Sequence, residues 1–61
     1  MNAHLYAYLK QQAVAILPGN LALTRDARRA HIISAVQQFP EHNRRFIASC
    51  AWSMLGYGGG F

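Results

Sequence analysis

The sequence contains little that could hold a small fold together covalently. A single cysteine, Cys50, stands among 61 residues, so an internal disulfide is excluded. A chain of about 60 residues buries only about 60% of the surface that it exposes when unfolded, and its stability is therefore marginal. Small domains commonly gain support from disulfides, a metal ion or a second subunit. Without a disulfide, we expect support from self-association or from a partner chain.

Acidic residues are scarce as well, since the sequence has only two of them against six Lys and Arg residues. The formal net charge is +4 and the pI is near 10.0. One Asp and one Glu leave almost nothing for paired-carboxylate catalysis. His4, His31, His42 and Cys50 lack the spacing of zinc ligands. Cys50 lies in an apolar stretch, which disfavours a reactive thiolate. We therefore expect no catalytic residues, no metal site and no cofactor, and a protein that is not an enzyme.

Long apolar runs are missing too. No run approaches the 18 or more residues that a membrane span requires. Residues 1–4 lack the positive region and the apolar core of a signal peptide. We expect no membrane span and a cytoplasmic protein. The hydrophobic fraction of 52% is that of a globular protein.

The most apolar stretch is 46–55, which reads as a helix with Arg45, Ser49 and Ser53 on a narrow polar strip. A helix that covers one core shows an apolar stripe a little over 100° wide, and this one shows roughly twice that. Such a helix must be covered by more than one neighbour. Its apolar residues are Phe46, Ile47, Ala48, Cys50, Ala51, Trp52, Met54 and Leu55.

Two further helices precede this stretch. Apolar residues recur at helical spacing from Leu5 to Ile16, and Pro18-Gly19 then predicts a type II turn. Thr24 is a good N-cap for the second helix, which ends before Pro40 because proline disfavours the helical conformation at the preceding residue. Gly56 marks the end of the third helix.

These signals predict an all-α fold, a small three-helix bundle. The helices cover approximately 3–17, 24–38 and 41–55, with the third helix central. Residues 1–55 form a single helical domain, and 56–61 form a flexible tail of glycine and aromatic residues.

A basic cluster is the feature with the strongest functional claim. Five of the six Lys and Arg residues lie in two groups near predicted helix starts: Arg25, Arg28, Arg29, Arg44 and Arg45. Helix N-termini favour anions, and guanidinium groups there could bind a phosphate or carboxylate together with the backbone N–H groups. Three interpretations stay open, namely a solvated basic rim, contact with an acidic protein surface, and contact with nucleic acid.

Helices two and three can also be read as a helix-turn-helix, in which residues 42–45 would face DNA or RNA. The third helix offers few exposed polar positions beyond Arg45, which weakens this alternative. Action at a membrane surface is a third hypothesis, and it is weakened because no strongly cationic face lies opposite an apolar one.

Three aromatic residues are candidates for interface anchors, because Trp and Tyr are enriched in binding hot spots. Trp52 either packs in the core or joins the arginines in a contact patch, and Tyr57 and Phe61 are either disordered or part of that patch. The leading hypothesis is a small non-enzymatic interaction module, a regulator, inhibitor or adaptor. It self-associates through the third helix or docks on a larger protein through apolar helix faces, steered toward an acidic surface by the arginines. The predicted partner-binding residues are Arg25, Arg28, Arg29, Arg44, Arg45, Trp52, Tyr57 and Phe61.

Overall fold

Three helices make up the fold. A computed structural model of the chain describes residues 3–19 and 23–58. Within these ranges it contains α1 (Ala3–Ala15), α2 (Arg25–Ala35) and α3 (Glu41–Met54), and a 3₁₀ turn, Val36–Gln38, continues α2. The predicted all-α three-helix bundle is confirmed. The first and last residues of each helix lie within two positions of the predicted bounds when the 3₁₀ turn is counted with α2.

The end of α1 differs from the prediction. The helix stops at Ala15, and the backbone then tightens, since Leu17 N–H donates to the Val14 carbonyl at 3.2 Å. Gly19 does not take the positive φ that the third position of a type II turn requires, so the predicted turn type is wrong. Pro18, two residues after the last helical turn tightens at Ile16, is buried.

The beginnings of α2 and α3 follow local signals. The Thr24 hydroxyl accepts a hydrogen bond from Ala27 N–H at 3.2 Å, which satisfies a backbone donor that the helix leaves unpaired. Phe39 is extended, with φ −100° and ψ 159°, as expected for a residue before proline. Helix α3 then begins at Glu41, directly after Pro40. The predicted N-cap and the predicted break before α3 are confirmed.

Helix α3 lies at the centre of the fold. It packs against α1, α2 and the 3₁₀ turn, whereas no described Cα atom of α1 lies within 8 Å of a Cα atom of α2. The expectation that this helix needs more than one neighbour is therefore met. Met54 of α3 stays 37% exposed, so α1 and α2 cover most of the wide apolar surface of α3 but not all of it. The buried core consists of Leu9, Ala13, Ile16, Ile32, Val36, Ile47, Ala48, Ala51 and Trp52.

Two neighbouring isoleucines on α2 provide a test of this packing. Ile32 is fully buried and Ile33 is 46% exposed. We expect Ile32→Ala to lower the free energy of unfolding by about 2–5 kcal/mol, because it leaves a cavity in the core. Ile33→Ala should change it by about 0.5 kcal/mol or less. Urea unfolding followed by circular dichroism measures both, and equal losses in the two variants would show that α2 packs through another face.

Candidate interaction surface

The C-terminus of α3 fixes the position of an aromatic side chain. Gly56 adopts a φ of 95°, and its N–H donates to the Ser53 carbonyl at 2.9 Å. Tyr57 N–H donates to the Trp52 carbonyl at 3.1 Å. These two bonds form a Schellman motif, in which the residue after the glycine commonly packs on the last helical turn. Tyr57 accordingly stacks on Trp52, with ring centroids 4.3 Å apart and planes 25° apart.

Tyr57 is therefore part of the packed unit, although it belongs to the predicted tail 56–61. Of the other tail residues, Gly56 and Gly58 are described, while 59–61 lie outside the described residues. The prediction that Phe61 binds a partner falls on that last segment.

Trp52 is a core residue. Its side chain is 1% exposed, so of the two interpretations left open by the sequence, core packing is the one observed. A partner cannot contact the indole directly while it stays covered. Trp52 forms the buried base on which other side chains rest, and its predicted role as an interface anchor stays a prediction.

Three arginines of α2 surround this base, and we call Arg25, Arg28 and Arg29 the arginine cluster. The guanidinium carbons of Arg25 and Arg29 lie 5.7 and 5.6 Å from the centroid of the Trp52 ring, within the range of cation–π attraction. Arg28 Nη1 donates a hydrogen bond of 3.0 Å to the Tyr57 hydroxyl. The fold therefore brings the three arginines together on one aromatic stack.

The cluster concentrates positive charge. Helix α2 contains three arginines and a single acidic residue, Asp26. Asp26 Oδ1 lies 3.9 Å from Arg25 Nη1, and the two side chains are 92% and 62% exposed. An ion pair in such an exposed position contributes about 0–1 kcal/mol. The start of α2 adds the positive end of the helix dipole. An anion at this surface would meet several cationic groups at once.

The other two predicted arginines, Arg44 and Arg45, do not belong to the arginine cluster. Arg44 Nε donates to the Phe39 carbonyl at 2.9 Å, and its Nη2 donates to the Gln37 carbonyl at 3.2 Å. Arg44 thus caps carbonyl groups where the 3₁₀ turn ends, a position that favours a cation. Arg45 is exposed. The structure joins three of the five predicted arginines in one site and gives Arg44 a role in the corner before α3.

His31 makes a contact that the sequence did not indicate. Its Nε2 lies 3.0 Å from the Ile16 carbonyl, to which the ring nitrogen donates. This bond ties Ile16, the residue that directly follows α1, to α2. The two residues are 15 positions apart, so no local pattern reveals the contact.

The described side chains offer little for catalysis. Burial raises the pKa of the Cys50 thiol, and the nearby Lys10 ammonium opposes this with a smaller effect. The thiol therefore stays protonated at neutral pH and is a weak nucleophile. Over residues 3–19 and 23–58, no three His, Cys, Asp or Glu side chains come together as metal ligands would. No helix in the same ranges has the length and hydrophobicity needed to cross a bilayer.

Comparison of the chain with protein-family models, with curated proteins and with solved structures finds no match. The geometry of this chain is therefore the basis for a functional proposal.

The single tryptophan allows the site to be tested directly. We expect Tyr57→Ala to uncover one face of the Trp52 ring, which shifts its fluorescence emission to longer wavelength and increases quenching by acrylamide. Tyr57→Phe keeps the stacked ring and removes the hydroxyl that Arg28 contacts, so its emission should stay close to that of the parent chain. Tyr8→Ala, at a tyrosine that is 52% exposed, serves as the control. Unchanged quenching in Tyr57→Ala would contradict the stacked arrangement.

Proposed function

We propose that this chain is a small non-enzymatic interaction module that docks on an acidic protein surface through the arginine cluster. The observation that carries the proposal is that three arginines of one helix are positioned on a single aromatic stack. Arginine binds carboxylates in a bidentate geometry, and side chains ordered before binding lose less conformational entropy when a partner arrives. The cytoplasmic location expected from the sequence belongs to the same proposal.

An apolar position continues the cluster along α2. Arg25, Arg29 and Ile33 follow each other at i, i+4 and i+8, which places them on one stripe of the helix. Ile33 is 46% exposed. Protein interfaces combine apolar contacts with arginine and are depleted in lysine and acidic residues at their centre. This stripe has the composition of one side of such an interface, and its partner would present carboxylates beside an apolar patch.

The helix-turn-helix alternative finds less support in the geometry. A recognition helix must present a face to the major groove, whereas α3 is packed between α1 and α2. At the start of α3, the Arg44 guanidinium already donates to two carbonyl groups. Nucleic acid therefore enters as an alternative partner for the arginine cluster, through phosphate contacts alone.

A titration monitored by Trp52 fluorescence distinguishes the two partners, because the indole lies beneath the arginines. Poly-L-glutamate represents an acidic protein surface, and a random-sequence DNA duplex represents nucleic acid. We expect Arg25→Gln/Arg29→Gln to bind poly-L-glutamate roughly tenfold more weakly than the parent chain. The reason is that two partly exposed ionic contacts contribute about 0.5–1 kcal/mol each, and about 1.4 kcal/mol corresponds to tenfold in affinity.

The matched control is Lys10→Gln/Arg45→Gln, which removes the same amount of charge outside the cluster. Its affinity should fall by less than that of the cluster variant. Equal losses in both double variants would mean that net charge alone drives binding, and the proposed site would be wrong. Tighter binding to the duplex than to poly-L-glutamate, with a steep decrease as salt rises, would favour the nucleic-acid alternative.

Self-association, the second part of the hypothesis, is expected from the sequence to use the third helix. Most of that helix is covered by α1 and α2, and two arginine clusters would repel each other, so we place the contact on α1 instead. The side of α1 opposite Leu9 carries Ala7, Gln11 and Val14, which are exposed and uncharged, and Val14 is 55% exposed. We propose that copies of the chain meet along this side.

Sedimentation velocity tests this second part. We expect the parent chain to sediment as a dimer or larger species at high micromolar concentration, and Val14→Glu to sediment as a monomer, because it places two carboxylates in the contact. Ile33→Glu, at an exposed isoleucine on α2, is the control and should leave the association unchanged. A compact monomer of the parent chain at these concentrations would contradict the proposal.

A further inference from the structure

A groove separate from the arginine cluster runs between α1 and α3. Its volume is about 220 Å³, and two helices supply its walls. The lining residues are Tyr6 and Lys10 of α1 together with Ser49, Cys50, Ser53 and Met54 of α3.

The groove exists because of the side chains on either side of the seam. The Tyr6 ring packs edge-on against Phe46, with centroids 5.8 Å apart and planes at 81°. This contact fills the seam at one end. Beyond it α3 presents the small side chains of Ser49, Cys50 and Ser53 to the groove. The space between the helices therefore stays open along about one and a half turns of α3.

The walls are mostly apolar and carry one charge. Tyr6 is 48% exposed and Met54 is 37% exposed, so both offer apolar surface to a ligand. Lys10 is the charged residue of the lining, and it forms no ion pair with the described side chains. Its ammonium lies near enough to Cys50 to lower the pKa of that thiol against the larger effect of burial. The positive charge of Lys10 therefore acts on a group that lines the groove.

We propose that this groove binds a small amphiphilic carboxylate the size of one six-membered ring. The apolar body would lie against Tyr6 and Met54, and the carboxylate would meet the Lys10 ammonium, with the hydroxyls of Ser49 and Ser53 as further donors. An apolar cavity of about 150 Å³ accommodates benzene, so about 220 Å³ leaves room for a ring and one carboxylate. Pockets for cofactors and drug-sized ligands measure about 300–1,000 Å³, so this groove suits a smaller molecule.

The test is a titration of the full chain with benzoate, followed by ¹H–¹⁵N NMR spectra, with benzyl alcohol as the uncharged counterpart. We expect saturable shifts centred on Lys10, Ser49, Cys50 and Ser53, with a Kd in roughly the millimolar range for so few ligand atoms. Benzyl alcohol should bind about threefold more weakly, because it lacks an exposed ionic contact.

Three variants complete the design. Lys10→Gln should abolish the preference for benzoate over benzyl alcohol, while Arg45→Gln, which removes a charge outside the groove, should keep it. Ser49→Phe fills the groove and should prevent binding of both compounds; its spectrum without ligand shows whether the fold is retained. Shifts that do not saturate, equal affinity of the parent chain for the two compounds, or a preference for benzoate that survives Lys10→Gln would each overturn the inference. Shifts confined to Arg25, Arg28 and Arg29 would also overturn it, and they would leave the function proposed for the arginine cluster intact.

Discussion

The structure depends on covering the two sides of one apolar helix. Helix α3 buries Ile47, Ala48, Ala51 and Trp52, and it obtains this burial from α1 and α2, whose described Cα atoms stay more than 8 Å apart. Residues 3–19 and 23–58 contain no further helix that could close the remaining openings. The α1–α3 and α2–α3 seams are therefore separate places on the molecule. One seam keeps a groove beside Lys10, and the other assembles the arginine cluster around Trp52.

The arginines contribute to the fold as well as to the surface charge. Arg44 holds two carbonyl groups at the corner before α3, and Arg28 bonds the hydroxyl of Tyr57. Arg25 and Arg29 cover the Trp52 ring, and the aliphatic part of an arginine side chain can bury apolar surface while its charge stays in water. Changing such an arginine to alanine removes packing together with charge. Changing it to glutamine retains most of the stem, and so separates the two contributions.

The elements that the sequence predicts correctly are those set by neighbouring residues. Thr24 accepts the N-cap bond, Pro40 separates the helical segments, and Gly56 ends α3, all within a few positions along the chain. Contacts between distant positions were missed, because helical periodicity shows which face is apolar and not which residues meet across it. Arg28 and Tyr57 are 29 positions apart, and this pairing turns five scattered arginines into a site of three. The sequence alone leaves open whether Trp52 packs in the core or lies in a contact patch, and the structure shows it buried beneath Tyr57 and two arginines.

The geometry of the arginine cluster is set largely by the end of another helix. The positive φ of Gly56 reverses the backbone after α3 and directs Tyr57 onto Trp52. No atom lies within 4 Å of the position that a Cβ would take at Gly56, so the need for glycine there comes from the backbone conformation rather than from crowding. Once Tyr57 is in place, its hydroxyl fixes Arg28, and the stack offers Arg25 and Arg29 a surface to rest on. Helix α2 supplies the cations and the C-terminus of α3 supplies their support. A partner that binds this surface would therefore contact charges whose positions depend on two helices at once, and loosening the end of α3 would weaken binding without removing any charge.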